Sequence, residues 1–146
     1  MINNIEKALS IIDANYCGKP DSLLGEINDH SFFGNDKFWE LYDSILLLVK
    51  QKYYDDGITV HISLCYQRLL KEIIYHFSDK DMSNIENFPN DYNGYLERMD
   101  YVIHALYLKS EAAMSEDLFE LKRMYKFFDV LEINEKGRLT KSLFSC

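Results

Sequence analysis

Apolar residues recur at steps of three and four along most of this chain, the spacing that places side chains on one face of an α-helix. Glycine and proline, which interrupt helices, number only six and two among the 146 residues. The pattern therefore predicts a few long helices with aromatic-rich buried faces. The clearest stripe contains Phe38, Leu41, Tyr42, Ile45, Leu48 and Val49.

We predict five helices and, because 146 residues suit one folded unit, a single domain over residues 1–146. The first helix covers residues 2–14, and the second contains the stripe given above, after a cap at Asn35 or Asp36. The third covers residues 58–77. The expected fold is an all-α, single-domain bundle of about five helices.

The two remaining helices lie in the C-terminal half of the chain. The fourth is expected after a cap at Asp91 or Asn93, and the fifth near Asp117, which has capping-box spacing to Glu120. Their buried faces contain Leu96, Met99, Ile103, Leu106 and Tyr107 in the fourth, and Leu118, Leu121, Met124, Tyr125, Phe128 and Leu131 in the fifth. The last residues, 132–146, are weakly patterned, and the sequence assigns them no role.

The third helix has a competing interpretation. Alternate residues are apolar over residues 58–64, as in a half-buried strand. A helical stripe, however, continues through all twenty residues of the segment and contains Ile58, Ile62, Cys65, Leu69, Ile73 and Phe77. Because the helical pattern explains the longer stretch, we predict a helix, and a short strand over residues 58–64 is the alternative.

Residues 15–35 contain an unusual concentration of helix-breaking residues. We therefore predict a loop-rich segment here, packed against the core by its apolar side chains. The breakers are Gly18, Pro20, Gly25 and Gly34, and the apolar residues are Leu23, Leu24, Ile27, Phe32 and Phe33.

The charge of the chain limits its partners. It has 24 acidic and 16 basic residues, a net charge of −8 at pH 7. Such a surface repels phosphate backbones and the anionic face of a membrane, so we expect no direct nucleic-acid binding and no membrane binding. A basic protein is the partner that this charge would attract.

The three cysteines, Cys17, Cys65 and Cys146, form no close pair and no metal-ligand spacing. This suggests a reducing compartment, with Cys65 as a small core residue and a Cys17–Cys65 disulfide as the alternative. The longest apolar run, Ile45–Val49, is too short to span a bilayer, and the first residues show no secretory signal. We therefore expect a cytoplasmic protein.

Catalytic motifs are missing from the sequence, which contains no nucleophile elbow, phosphate-binding loop or HExxH pattern, so we predict no cofactor and no metal. One pair, Arg98 and His104, is similar to the Arg-five-residues-His signature of HEPN-type ribonucleases. That alternative would have Arg98 steady a phosphate and His104 transfer protons. Six residues rotate a helix by about 240°, however, and the competing prediction is a surface arginine and a half-buried histidine.

Residues 79–100 combine carboxylates with aromatic rings. The segment has six acidic residues against Lys80 and Arg98, and Phe88 lies among them. Carboxylates steer a basic partner toward a surface, and aromatic side chains anchor the dry centre of an interface. We predict a protein-binding site here, with a solvated connection as the alternative. Its residues are Asp79, Asp81, Glu86, Asp91, Tyr92, Tyr95 and Glu97.

Several short stretches resemble those of one bacterial family. In order, they are Asn15-Tyr16-Cys17 with Ser22 to Ile27, Phe38-Trp39-Glu40-Leu41, Ile74-Tyr75-His76-Phe77 with Asp79-Lys80-Asp81, and Tyr95-Leu96-Glu97-Arg98. Over residues 15–108 the chain thereby resembles bacterial toxin-immunity proteins, closest to the group catalogued as immunity protein 41. It departs from the family's pattern at residues 78–84, where the usual Pro and Gly are absent, and over residues 118–146, which have no counterpart.

The resemblance implies a cytoplasmic inhibitor and not an enzyme. Proteins of this kind bind and neutralise the C-terminal toxic domain of a large secreted or surface-displayed toxin, as in contact-dependent growth inhibition. Many such toxins are nucleases, whose substrate grooves are basic. The resemblance thus implies that the acidic segment of residues 79–97 binds a cognate toxin domain and blocks its active site or substrate groove.

Overall fold

A computed structural model of the chain describes residues 2–78, 84–110, 116–123 and 127–128. All regular structure within these ranges is helical, and they contain no strand. The helices are α1 (Ile2–Tyr16), α2 (Leu23–His30), α3 (Asn35–Lys50), α4 (Asp56–His76) and α5 (Tyr92–Leu108), followed by a 3₁₀ turn at Glu116–Leu118. The prediction of an all-α bundle of about five helices is confirmed, although not every predicted helix is among the five.

Helix α3 is the centre of the bundle, and it packs against α1 on one side and α5 on the other. Its position explains why its apolar stripe is wide: Phe38, Trp39 and Tyr42 are all almost completely buried. Burial of each large side chain contributes about 1.5–3 kcal/mol relative to exposure. The predicted cap is wrong, because Gly34 occupies the N-cap position and makes no side-chain hydrogen bond.

Helix α4 confirms the helical interpretation over residues 58–76 and excludes the alternative strand over residues 58–64. Asp55 caps it, since its Oδ1 accepts a hydrogen bond from the backbone N–H of Ile58 at 3.0 Å. The predicted stripe is buried as far as Ile73, but Phe77 is 56% exposed. The predicted burial of Phe77 is wrong because α4 ends at His76. Beyond the end of the helix, helical spacing does not determine where a side chain lies.

Helix α2 lies inside the segment that we predicted to be loop-rich, so that prediction is wrong for residues 23–30. Ser22 caps the helix by accepting from the N–H of Gly25 at 3.0 Å. Gly25 is needed for close packing: a Cβ there would lie 1.8 Å from the backbone oxygen of Lys19. Gly25, which we predicted to be a helix breaker, therefore lies within a helix and allows the backbone at Lys19 to pack closely against it.

The predicted fifth helix is wrong over residues 119–123, whereas Phe127 and Phe128 are helical and Phe128 is buried, as predicted. After the 3₁₀ turn, residues 119–123 are not helical, and Leu118 is 68% exposed. One physical reason is that the carbonyl of Leu121 accepts hydrogen bonds from Arg98 on α5. The remainder of that predicted helix lies mostly outside the described residues, as do residues 132–146. Tyr107, which we assigned to the buried face of α5, is 52% exposed.

Two further features concern the thiol of Cys65 and the apolar content of the helices. Cys65 is a free, buried thiol, so the alternative Cys17–Cys65 disulfide is not formed. Desolvation, with the charge of Asp13 as a second cause, raises the pKa of Cys65 to about 12. In the part of the chain that the structure describes, no helix has the length and apolar content needed to cross a membrane.

Candidate protein-binding surface

Four aromatic side chains meet where α4 ends and α5 begins: His76, Phe77, Phe88 and Tyr92, here called the aromatic platform. The rings of His76 and Phe88 are stacked, with centroids 4.0 Å apart and planes 14° from parallel. Phe77, Phe88 and Tyr92 form a triangle with centroid separations of 5.2, 5.3 and 5.4 Å. The platform is thus a continuous aromatic surface, and its outermost ring, Phe77, is more than half exposed.

The connection that contains Phe88 is fixed by hydrogen bonds on both sides. The backbone N–H of Ile85 donates to Nδ1 of His76 at 3.0 Å. The backbone N–H of Glu86 donates to the carbonyl of Ser31 at 2.8 Å. The Asn87 side chain accepts from the N–H of Phe33 at 2.7 Å and donates to its carbonyl at 2.8 Å. These bonds preorganise the platform, so a partner pays little entropy to order it.

The platform lies in an acidic stretch of the chain. Residues 84–97 contain three carboxylates and no basic residue, and Glu86, Asp91 and Glu97 are all exposed. Arg98, which the sequence count set against these acids, is only 1% exposed and lies inside the fold. The surface is therefore more acidic than the linear sequence indicates.

A surface cavity of about 310 Å³ extends this acidic region to the C-terminal segment. Its lining includes Asp91 from the start of α5 and Glu120 from the segment after the 3₁₀ turn. The side chain of Leu121 also contributes, packed against Gly94. Glu120 was not among the predicted site residues, because its distance in sequence gave no indication that it would lie beside Asp91.

Three predicted site residues do not contribute to the described surface. Asp79 and Asp81 lie outside the described residues. Tyr95 packs toward the core: its ring lies 4.8 Å from that of Phe38 at 87°, and its hydroxyl donates to Oδ1 of Asn35 at 2.7 Å. Burial raises the pKa of Tyr95 above its ordinary value. We therefore leave Tyr95 out of the binding surface that we propose below.

Phe77 is the surface residue that the sequence interpretation missed. Its position four residues after Ile73 continued the helical stripe and so predicted burial. The sequence feature that could have indicated the exposure of Phe77 is the polar segment that begins at Ser78. If the helix ends before this segment, helical spacing no longer determines whether Phe77 is buried.

Arg98 is the central residue of a buried polar cluster. Its Nε and Nη2 donate to the carbonyl of Leu121 at 3.1 and 2.8 Å, and its Nη1 lies 3.4 Å from the hydroxyl of Tyr42. The guanidinium carbon is 4.3 Å from the centroid of the Phe119 ring, a cation–π distance. Arg98 thus joins α5 to both α3 and the C-terminal segment.

Glu116 and Arg123 complete this cluster. Glu116 accepts from Nη1 of Arg98 at 2.7 Å and from Arg123 at 3.2 Å. Burial alone would raise the pKa of Glu116, but the hydrogen bonds from Arg123 and Arg98 lower it below its ordinary value. Nη1 of Arg123 also donates to both carboxylate oxygens of Asp43, at 2.8 and 2.9 Å. The cluster therefore matches two guanidinium groups with two carboxylates.

The Arg98 and His104 pair of the ribonuclease alternative is not assembled as a site. Arg98 is buried and bonded within the fold, whereas His104 is exposed and its Nδ1 lies 3.1 Å from the carbonyl of Asp100. The competing expectation of a surface arginine and a half-buried histidine is wrong in both parts. It failed because α5 directs Arg98 toward α3 and the C-terminal segment. This arrangement gives no support to phosphate binding by Arg98.

Among the residues that the structure describes, no group of three or more His, Cys, Asp or Glu side chains is placed to hold a metal ion. No protein-family model, no curated protein and no solved structure matches this chain.

Proposed function

We propose that this chain is an immunity protein, a cytoplasmic inhibitor that binds a cognate toxin domain and is not itself an enzyme. The partner is the basic C-terminal domain of a toxin, most consistent with a nuclease. The observation on which this proposal rests is the aromatic platform, with Phe77 exposed, in a stretch of the chain whose carboxylates are exposed. The toxin family enters from the resemblance of the sequence stretches given above.

The platform and its charges have the composition of a protein interface. Large aromatic side chains such as Phe77 and Tyr92 supply most of the binding energy at the centres of many interfaces. Exposed carboxylates such as Glu86 and Asp91 raise the rate of encounter with a basic partner. Since the groove of a nuclease must attract phosphates, the same groove attracts this surface, and the bound inhibitor would exclude the nucleic acid.

The test mixes the purified protein with the toxin domain encoded immediately upstream and measures toxin activity and association rate. We expect inhibition, and we expect the double variant Glu86→Lys/Asp91→Lys to associate at least several-fold more slowly at low salt. The melting temperature should hardly change, because exposed charges contribute about 0–1 kcal/mol to folding. The slowing should diminish as added salt screens the charges.

A matched control is Asp56→Lys, which reverses an exposed charge at the other end of α4, about 30 Å away by helical rise. It should leave the association rate close to that of the unaltered protein. Full toxin activity at an excess of this protein would refute the proposed function. Equal slowing by Asp56→Lys and by the double variant would refute the assignment of the surface.

A further inference from the structure

The aromatic platform has a geometry that selects among cationic side chains. We infer that it receives the guanidinium group of an arginine from the basic partner, with Phe77 as the ring over which the guanidinium lies. This deepens the proposed function and rests on it. It names the partner group that the surface recognises: an arginine side chain, and not a lysine ammonium.

The spacing of the rings determines how a cation could bind. The centroids of Phe77, Phe88 and Tyr92 are 5.2–5.4 Å apart, so the rings contact one another. A cage that encloses an ammonium ion needs a gap between its rings, since a cation lies up to about 6 Å from each centroid. With no gap, the platform offers a cation only its outer surface, which suits a flat group.

Guanidinium is the flat cation among protein side chains. It is planar, it is more weakly hydrated than an ammonium, and it stacks on aromatic faces. Two arginines of the described residues already contact rings: the buried Arg98 lies 4.3 Å from the Phe119 centroid, and the partly buried Arg123 lies 5.0 Å from that of Trp39. On the platform, 56% of Phe77 remains accessible for the same type of contact.

The carboxylates beside the platform complete the recognition. Glu86 and Asp91 are exposed, and residues 84–97 contain no basic residue that would compete for them. A carboxylate can accept two parallel hydrogen bonds from a guanidinium, a geometry that an ammonium does not match. Charge complementarity therefore specifies a basic occupant, and ring geometry together with hydrogen-bond geometry specifies arginine.

The experiment compares an oligo-arginine peptide with an oligo-lysine peptide of equal length, using fluorescence anisotropy at several salt concentrations. Both have the same charge, so the net charge of −8 affects them alike. We expect the arginine peptide to bind more tightly and Phe77→Leu to reduce that preference about two- to five-fold, the range of an exposed cation–π contact. Phe77→Trp should maintain or increase the preference, because Trp is the strongest cation–π partner.

The leucine variant retains an apolar side chain, and the exposed position of Phe77 makes loss of folding a minor concern that a melting curve checks. Tyr107→Ala, on an exposed aromatic residue of α5 with a similar exposure of 52%, is the matched control and should leave the preference unchanged. Equal affinity for the two peptides, or a preference that survives Phe77→Leu, would overturn the inference.

The outcomes separate this inference from the proposed function. If Phe77→Leu binds the toxin domain with the same affinity as the unaltered protein does, the arginine site is wrong while inhibition stands. If the peptide preference depends on Phe77 but the toxin domain is neither bound nor inhibited, the arginine site stands and the proposed function fails.

Discussion

Replacement of Arg98 by methionine should be among the most destabilising single changes to this fold. The guanidinium is 1% exposed, and its hydrogen bonds go to the carbonyl of Leu121, to Glu116 and to the hydroxyl of Tyr42. Methionine fills a similar volume but donates no hydrogen bond. The change therefore isolates the polar role of Arg98 from its packing role.

The magnitude follows from the groups left without a partner. Loss of one member of a buried ion pair costs about 3–5 kcal/mol, and each buried polar atom left unsatisfied costs about 1–3 kcal/mol. The side chain of Glu116 is 42% exposed and still accepts hydrogen bonds from Arg123, so its loss of Arg98 contributes little to the destabilisation. The carbonyl of Leu121 loses two donors. The hydroxyl of Tyr42 loses one donor. At about 1–3 kcal/mol for each of these two atoms, we expect a loss of about 2–6 kcal/mol in the free energy of unfolding.

Urea and thermal denaturation followed by circular dichroism measure this loss. For a domain of this size, 1 kcal/mol lowers the melting temperature by about 2–4 °C, so the expected decrease is about 4–24 °C. The control is Arg68→Met, since Arg68 pairs with Glu72 at 3.1 Å but is half exposed, and its loss should cost below about 1 kcal/mol. If the two variants lost equal stability, the buried cluster would have no special role in the fold.

Two further predictions concern close packing and thiol ionisation. Gly25→Ala should cost more than about 1 kcal/mol in thermal denaturation, because the added Cβ meets the backbone of Lys19, whereas Gly57→Ala, which meets only a side-chain oxygen at 3.2 Å, should cost less. The Cys65 thiol, with its pKa raised from 9.0 to about 12, stabilises the fold below pH 9, and this contribution should decrease between pH 9 and pH 12. Alkylation mapped by mass spectrometry should show Cys65 protected at pH 9 until the chain unfolds, and rapid native alkylation would contradict its burial.

The sequence correctly predicted the helices in which regular apolar spacing determines the buried face. The stripes of α3 and α4 determine which faces are buried, because spacing along a helix translates directly into direction. The sequence interpretation failed where a distant contact decides the local structure. Gly25 belongs to a helix because the backbone at Lys19 approaches it, and residues 119–123 leave the helical pattern where Arg98 binds a carbonyl.

The sequence predicted that the candidate surface would combine acidic and aromatic residues, but it did not predict correctly which residues belong to the surface. Glu86, Asp91 and Tyr92 form part of the described surface, as the interleaving of acids and aromatic residues suggested. Tyr95 packs toward the core instead, and Phe77 takes its place at the surface. Both differences depend on where a helix begins or ends, and helix ends are less well determined by sequence spacing than helix faces are.

The position of Arg98 connects the stability of the fold with the chemistry of the surface. Counted along the chain, this arginine partly neutralises the acidic segment, but the fold places its charge inside, opposite Glu116 and against Phe119. The exposed carboxylates of residues 84–97 therefore have no basic neighbour within that stretch, and their attraction for a cation is available to a partner. Inside the fold, Arg98 lies over the ring of Phe119. We infer that the exposed ring of Phe77 makes the same type of contact with an arginine of the partner.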